Sequence, residues 1–303
     1  MKIFLTGGTG FIGSILRKEL IREGHKITVL ARATGKRGDL HDGISFIKGN
    51  PNEPGPWQEK VSEHDVIVNL AGASIFRRWS SKAKKEIFDS RILTTKHVVE
   101  ALADRKGKET HLFSASGVGY YGFHGDEVLD ENSPPGKDFL AQLTSEWESE
   151  ARNAEKLGVR VVLCRFGTVL GRKGGALGKM VTVFRLRLGS LWGRGEQWFS
   201  WIHERDVVNI FLFLLKDKKL EGPVNFTASN PVRNIELTKF LGEVLQKTSF
   251  IPAVPDFVFT SILGEFANVF LKGQRVFPRK LLENGFGFQF PTLKEALLDL
   301  IES

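Results

Sequence analysis

Four glycines near the start of the chain have the spacing of a turn that binds phosphate groups. They are Gly7, Gly8, Gly10 and Gly13, between an apolar run at residues 3–5 and a segment of helical periodicity at 14–21. A strand, a glycine turn and a helix in this order present backbone amides and a helix dipole to a pyrophosphate. The spacing predicts a dinucleotide site formed by Gly7, Thr9, Gly10, Phe11, Ile12 and Gly13. The alternative is a turn of purely structural role.

The end of the second predicted strand, at residues 26–30, carries a cation where an NAD-preferring site usually has a carboxylate. Ala31 and Arg32 occupy this position, and Lys36 and Arg37 follow closely. A guanidinium can pair in a bidentate manner with the 2′-phosphate that distinguishes NADP from NAD. We therefore expect NADP(H) as the cofactor. The alternative is a solvated arginine in a loop.

Apolar strands alternate with helical segments through the first part of the chain and position the glycine turn. We predict further strands at 44–48, 65–72, 111–116 and 159–166, and helices at 81–103 and 139–157. This pattern predicts an α/β protein with a Rossmann-type doubly wound parallel sheet. Ligands bind outside the carboxyl ends of such strands, where Leu70, Ala71 and Gly72 would let the backbone contact a cofactor.

The remainder of the chain is less regular and indicates a second lobe. We predict that residues 1–170 and 205–228 form the dinucleotide-binding domain, and that residues 171–204 and 229–303 form a smaller, discontinuous C-terminal substrate lobe. In that lobe, Arg185, Arg187 and Gln197 would line the substrate side, near several tryptophans. We expect a small-molecule substrate there.

Composition and charge argue against several classes of function. Of the 303 residues, 41% are hydrophobic and 26% are charged, as in ordinary globular proteins. The net charge of +8 comes from scattered residues without a polybasic tract, so we expect no nucleic-acid partner. No apolar run is long enough to span a bilayer, and the N-terminal strand does not resemble a signal peptide. We therefore expect a cytoplasmic protein with no membrane partner.

The cysteine and histidine content limits disulfide and metal chemistry. The single Cys164 lies in an apolar strand, where a buried, unreactive thiol is expected. The seven histidines show no metal-ligand spacing with that cysteine or with each other. We expect no metal site.

Several motifs make the chain similar to the extended short-chain dehydrogenase/reductases, a family that includes nucleotide-sugar epimerases and dehydratases. The motifs are residues 6–13, 69–72 and 114–116 and the helix that begins at Asp206. The chain more closely resembles the atypical NADP-binding, epimerase-like subfamily, whose substrate is not established. This closer resemblance rests on residues 77–79, 90–91, 120–122, 174–175, 201–203, 273–276, 278 and 284–286.

The resemblance covers nearly the whole chain and implies further site residues. It implies cofactor contacts at Ala31, Arg32, Leu70, Ala71, Glu86, Arg91 and Val169. For Glu86 and Arg91 the alternative is a solvated, salt-bridging face of the helix. The resemblance also implies a homodimer.

The acid/base pair of the large family is missing from this chain. That family uses a Ser, a Tyr and a Lys four residues after the Tyr, and the Lys lowers the Tyr pKa from about 10. The two tyrosines here are Tyr120 and Tyr121, and neither is followed by Lys at that spacing. The usual Tyr and Lys positions fall near Leu140 and Thr144, while Ser116 remains to orient a substrate oxygen.

Three other side chains are candidate proton donors. Tyr120 and Tyr121 closely follow Ser116, and His203 belongs to a residue type that titrates near neutral pH. The alternative for each is a packed, structural ring. We predict an NADP(H)-dependent oxidoreductase or epimerase acting on a small polar or nucleotide-sugar-like substrate. The rival hypothesis is a non-catalytic NADPH-binding redox sensor or partner-binding module, which the missing Tyr–Lys pair favours.

Overall fold

Short strands and longer helices alternate along the chain, as the apolar pattern predicts. The computed structural model describes residues 1–33, 43–105, 107–247 and 253–302. The strands are β1 (Lys2–Thr6), β2 (Lys26–Ala31), β3 (Ile44–Lys48), β4 (Val66–Asn69), β5 (His111–Gly117), β6 (Val128–Leu129), β7 (Arg160–Phe166), β8 (Thr168–Leu170), β9 (Trp198–Phe199), β10 (Trp201–His203), β11 (Gly222–Phe226), β12 (Val232–Arg233) and β13 (Arg275–Val276). The helices are α1 (Phe11–Arg22), α2 (Gln58–Val61), α3 (Ser81–Ala101), α4 (Phe139–Arg152), α5 (Leu177–Arg185), α6 (Glu204–Lys216), α7 (Asn234–Leu245), α8 (Asp256–Leu263), α9 (Asn268–Leu271), α10 (Arg279–Glu283) and α11 (Leu293–Glu302).

The central sheet has seven parallel strands in the order β3-β2-β1-β4-β5-β7-β11. Its inner strands are buried on both faces, and Ile3, Phe4 and Leu5 of β1 have no solvent exposure. Such burial is typical of a parallel sheet that helices cover on both sides. The strand order reverses between β1 and β4, which leaves a crevice at their carboxyl ends. This topology confirms the predicted Rossmann-type doubly wound fold.

Two apolar clusters cover the two faces of the sheet. On one face, Leu16 of α1 and Phe211 of α6 pack in the cluster that contains Leu5. On the other face, Val98 of α3 packs in the cluster that contains Phe4. Neighbouring residues of β1 thus contribute to opposite faces, as the alternation of side chains along a strand requires.

A third apolar cluster contains residues of the segments predicted to form the second lobe. Helices α5, α7 and α11 contribute Met180, Leu241 and Leu297 to it. One segment assigned to this lobe from the sequence packs elsewhere, because Leu281 of α10 and Phe286 lie in the sheet core. The other bounds of the two predicted units stay a prediction.

Two of the long helices end in a turn of 3₁₀ helix. Helix α3 is followed by Leu102–Arg105 and α4 by Asn153–Leu157, so the regular α-helices are shorter than predicted. Gly158 closes the second of these turns with a φ of 71°, a left-handed conformation that glycine adopts without strain. Among the described residues, no helix has the length and apolar character needed to cross a bilayer.

Candidate functional site

The glycine turn lies between β1 and α1, against the loop that follows β4. Gly7 has a φ of 68°, and a Cβ atom there would lie 2.7 Å from the carbonyl carbon of Leu70. A Cβ atom at Gly13 would lie 2.3 Å from the carbonyl oxygen of Gly7. Only glycine permits such close approaches. Helix α1 begins at Phe11 without a side-chain cap, so its first amides are available to a ligand.

Hydrogen bonds of Thr6 hold the loop after β4 beside this turn. The Thr6 hydroxyl donates to Oδ1 of Asn69 over 2.6 Å and accepts from the amide of Ala71 over 3.3 Å. Asn69 in turn donates to the hydroxyl of Thr95 on α3. This network fixes the backbone of residues 70–72 at the mouth of the crevice.

A cavity of about 590 Å³ opens at the carboxyl ends of the central strands and contains much of the predicted site. The predicted residues that line it are Gly7, Gly10, Phe11, Ile12, Gly13, Leu70, Gly72, Arg91, Ser116, Val169 and Gln197. The predicted residues that lie outside its lining are Thr9, Ala31, Arg32, Ala71, Glu86, Tyr120, Tyr121, Arg185, Arg187 and His203. The structure therefore brings together the glycine turn, the end of β4, one arginine and the retained serine.

Arg91 is the cation of the cavity's inner wall. Its guanidinium donates to the carbonyl oxygens of Ala73 and Ile87 and lies 5.2 Å from the centre of the Trp147 ring. Burial lowers the Arg91 pKa to about 10, so the group remains charged at neutral pH. Its Cζ atom would lie 3.1 Å from a Cβ atom at Gly72. Backbone carbonyl oxygens thus hold the positively charged guanidinium near the glycine turn. Its charge fits an anionic cofactor.

The residues predicted to bind the adenosine end of the cofactor lie outside the cavity lining. Ala31 is buried at the end of β2, and Arg32 follows it on the surface. Lys36 and Arg37 lie outside the described residues. Glu86 forms an exposed ion pair with Arg77, 3.0 Å away, and does not line the cavity. Its placement is that of the alternative, a solvated helix face.

Ser116, at the end of β5, is joined to a buried ion pair. Its hydroxyl donates to Oε1 of Glu148 on α4 over 2.7 Å. Arg165 of β7 donates to both carboxylate oxygens of Glu148, over 2.7 and 2.8 Å. Burial alone would lower the Arg165 pKa, but the hydrogen bonds and charge of Glu148 raise it. The serine hydroxyl is thereby oriented by a fixed, charged partner.

Comparison with known protein families identifies the family of this chain. Residues 3–226 match the model of the NAD dependent epimerase/dehydratase family. The chain belongs to this family. Residues 254–300 match a domain of unknown function, DUF1731. The epimerase/dehydratase family confirms the resemblance drawn from the sequence motifs and the expectation of a nicotinamide dinucleotide cofactor.

Relatives of the family cover the whole chain. A chloroplastic homolog of epimerase family protein SDR39U1 from Arabidopsis thaliana is 43% identical over 304 residues, which cover 100% of this chain and 87% of that protein. The crystal structure of human epimerase family protein SDR39U1 (isoform 2) with NADPH has a TM-score of 0.86 and 33% identity, and covers 100% of both chains. A nucleoside-diphosphate sugar epimerase from Corynebacterium glutamicum has a TM-score of 0.79 and 31% identity, and covers 98% of this chain and 57% of that one.

Leu140 and Thr144 of α4 lie near the positions predicted for the Tyr and Lys of the large family. Leu140 and Thr144 both line the cavity, as does Ser116. The Thr144 hydroxyl donates to the carbonyl oxygen of Leu140 over 2.7 Å. Neither side chain can act as the family's acid/base, because one is apolar and the other is a hydroxyl bound to the backbone.

The two tyrosines do not take over this role. Tyr121 is fully buried, and its hydroxyl donates to Oδ1 of Asn225 over 2.7 Å while accepting from Arg165 over 3.0 Å. Burial raises the Tyr121 pKa well above its usual value. The ring of Tyr120 lies 3.5 Å from the Arg165 guanidinium. Since neither residue lines the cavity, their placement argues against proton donation to a substrate.

His203 is a structural residue of the second lobe and does not line the cavity. Its ring is fully buried and stacks on Phe290, with the ring centres 3.8 Å apart. Nδ1 accepts from the amide of Arg205 over 3.0 Å and caps α6. Burial lowers the His203 pKa to about 4. The prediction of a proton-donor role fails here because the residue type alone does not reveal burial.

Two of the three residues predicted for the substrate side do not line the cavity. Arg185 and Arg187 are exposed near the end of α5 and do not line the cavity, whereas Gln197 does. Glu148 and Lys272 are not among the site residues predicted from the sequence. Glu148 follows Thr144 by one helical turn, so continuing the helical periodicity by one step would have placed it on the same face. For Lys272 the sequence offers no comparable signal.

Proposed function

We propose that this protein is an NADP(H)-dependent oxidoreductase that acts on a carbonyl or alcohol group held beside Ser116. The observation that carries the proposal is that Ser116 and the glycine turn line one cavity. Hydride exchange requires the substrate carbon and the nicotinamide to lie in such a shared, enclosed space. Where the oxidised intermediate turns in the site and is reduced on its opposite face, the same hydride chemistry produces epimerisation. The cytoplasmic location and the homodimer stay predictions.

The residues present fit the cofactor. The backbone of residues 7–13 forms a cradle that a Cβ atom would fill, and Arg91 supplies a buried positive charge beside it. Arg32 follows β2, at the place where a 2′-phosphate would be recognised. The human relative solved with NADPH supports NADP(H) over NAD(H). When bound, the nicotinamide supplies or accepts the hydride.

Ser116 is the residue we assign to substrate orientation. Because its proton is donated to Glu148, its oxygen can accept a hydrogen bond from a substrate hydroxyl. This bond would hold the carbon–oxygen bond of the substrate in one orientation. General acid/base catalysis contributes roughly 10² to 10⁴ in rate, and α4 lacks the groups for it, so the proton that accompanies the hydride must be exchanged with solvent. We therefore expect slower turnover than in relatives that retain Tyr and Lys.

The rival function is NADPH binding without turnover, as in a redox sensor or partner-binding module. One observation favours it: Leu140 and Thr144 place an apolar group and a backbone-bound hydroxyl where an acid/base pair would act. Under this hypothesis Ser116 serves only as a hydrogen-bond partner of Glu148, and its position in the cavity lining has no role. We therefore place it second.

Transfer of label from the cofactor distinguishes the two functions. NADPH deuterated at C4 would be incubated with the protein and a panel of carbonyl compounds, and deuterium in the products would be measured by mass spectrometry. We expect transfer to at least one compound. In the reverse reaction, in which NADP⁺ oxidises the corresponding alcohol and Ser116 accepts a hydrogen bond from its hydroxyl, Ser116→Ala should reduce the rate about 100-fold. Ser62→Ala, at the end of α2 and outside the cavity lining, is the matched control. Retention of all label on bound NADPH would support the sensor and contradict an oxidoreductase.

A further inference from the structure

Among the described residues, the part of the cavity formed by the predicted second lobe and the segment after β5 contains five aromatic side chains. We call it the substrate half and define it by the cavity-lining residues Phe123, Trp192, Gln197, Trp198, Phe199, Ser200, Asn234, Phe270, Lys272 and Gln274. The rings of Trp192 and Phe270 meet edge to face, with centres 5.1 Å apart. Aromatic walls of this kind favour apolar, ring-containing ligands.

The polar side chains of the substrate half already hold the protein backbone. Gln197 donates to the carbonyl oxygens of Trp192 and Phe270, over 3.0 and 2.7 Å. Gln274 donates to the carbonyl oxygen of Val118 over 3.0 Å. Both N–H groups of Gln197 and one of the two N–H groups of Gln274 are therefore committed before a ligand arrives.

The hydroxyl of Ser200 and the side-chain carbonyl of Asn234 also bind the protein backbone. Ser200 donates to the carbonyl oxygen of Gln274 over 2.8 Å and accepts from the amide of Val276 over 3.0 Å. The carbonyl oxygen of the Asn234 side chain accepts from the amide of Trp192 over 3.2 Å. The neutral donors that remain, such as Nδ2 of Asn234, cannot balance formal negative charge on a ligand.

Formal charges are scarce in the whole cavity. Among the described residues that line it, Arg91, Asp138 and Lys272 carry charge. Arg91 belongs to the cofactor side, next to Gly72. Asp138 caps α4 by accepting from two amides of that helix. This leaves Lys272, an exposed residue at the mouth whose ammonium lies 5.8 Å from the centre of the Phe123 ring.

Nearby arginines do not supply the missing charge. Arg233 and Arg275 lie against the Trp198 ring, 4.7 and 4.6 Å from its centre, and do not line the cavity. Arg233 also forms an ion pair with Asp126 over 2.7 Å. The sequence of residues 248–252, which lie outside the described part of the chain, is Thr-Ser-Phe-Ile-Pro and contains no cation.

A nucleoside diphosphate needs several cations or bidentate donors for its two phosphates, since burying unpaired charge is costly. Resting on the proposed function, we infer that the substrate is an apolar, ring-containing carbonyl or alcohol compound with at most one negative charge. Its ring packs on the aromatic walls, and a single carboxylate meets Lys272. This differs from the polar, nucleotide-sugar-like substrate expected from the sequence.

Calorimetric titration of the protein saturated with NADP⁺ tests this inference through binding alone. The probes are 2-naphthoate, its neutral isostere 2-naphthamide, naphthalene-2,6-dicarboxylate and UDP-glucose. We expect the first two to bind, and the dicarboxylate and UDP-glucose to bind at least about tenfold more weakly. Lys272→Met should weaken naphthoate about threefold and leave naphthamide unchanged. Lys219→Met, an exposed lysine outside the cavity lining, is the matched control.

Two results overturn the inference and leave the proposed function intact. One is tighter binding of UDP-glucose than of 2-naphthoate, and the other is the absence of binding by both naphthalene compounds to the NADP⁺-saturated protein. Failure of NADP⁺ itself to bind would instead contradict the proposed function. Because Lys272 is exposed, its substitution tests the site without depending on a core residue.

Discussion

Ser116, which lines the cavity, and Glu148, 32 residues later in the chain, are joined by a hydrogen bond of 2.7 Å. Glu148 is itself held by two hydrogen bonds from Arg165, and all three side chains are at most 5% exposed. The serine proton therefore points to a carboxylate and away from a ligand. In this respect the site differs from one in which a serine and a tyrosine both donate hydrogen bonds to a substrate carbonyl.

The buried pair formed by Glu148 and Arg165 should contribute strongly to stability. In Glu148→Gln, the Arg165 charge would remain buried without its counter-charge. The free energy of unfolding should therefore fall by about 3–5 kcal/mol. Urea denaturation measures this change. Glu146→Gln, an exposed residue on the same helix, should change the free energy of unfolding by less than about 0.5 kcal/mol. Equal effects of the two substitutions would contradict the assigned role of the pair.

Gly13 should be essential for cofactor binding. An added Cβ atom would lie 2.3 Å from the Gly7 carbonyl oxygen, so Gly13→Ala must displace the turn. We expect NADPH affinity to fall at least about tenfold. Gly178→Ala is a matched control, because Gly178 is also helical and has open space around its Cβ position. An unchanged affinity in folded Gly13→Ala would show that the turn does not bind the cofactor.

His203 should make stability depend on pH. Burial lowers its pKa in the folded protein from 6.5 to about 4, so the unfolded chain takes up a proton first as the pH falls. The contribution is fully present above about pH 6.5 and is lost as the pH falls toward 4, amounting to roughly 2–3 kcal/mol.

The variant His203→Asn isolates this contribution, because asparagine retains an acceptor for the helix cap and does not titrate. Urea denaturation at pH 7 and pH 5 should show a larger loss of stability for the unmodified protein than for the variant. The same loss in both would contradict a buried, neutral His203.

The missing acid/base pair can be restored in place. Leu140→Tyr with Thr144→Lys puts the pair on a helix face that lines the cavity. Once a substrate is known, the double variant should transfer hydride roughly 10² to 10⁴ times faster than the unmodified chain. Leu140→Tyr alone should gain less, because the lysine lowers the tyrosine pKa. A folded, cofactor-binding double variant with no gain would show that proton transfer does not limit the rate.

Local patterns allowed the cofactor half of the site to be predicted from the sequence. Gly7, Gly10 and Gly13 are close in the chain, and the strand before them and the helix after them have clear periodicities. The expectation that Leu70 and Gly72 would face the same crevice followed from parallel strands sharing one carboxyl edge. Both residues line the cavity together with the glycine turn.

The catalytic and substrate residues could not be predicted in this way. Tyr121 and His203 have side chains suited to chemistry, but their burial depends on packing with distant residues, including Asn225 and Phe290. The partnership of Ser116 with Glu148 likewise arises from two elements that meet only in the folded chain. Residue type indicates what a side chain can do, whereas the tertiary contacts decide whether it reaches the ligand.

The titration that tests the central claim most directly uses energy transfer from tryptophan to bound reduced nicotinamide, with NADPH and NADH compared separately. We predict at least about tenfold tighter binding of NADPH. This preference should collapse in Arg32→Asp and persist in Arg22→Asp, an exposed arginine at the end of α1 that pairs with Glu19. Equal affinities would contradict 2′-phosphate recognition by Arg32. Absence of binding by either nucleotide would contradict the assignment of the cavity as a cofactor site.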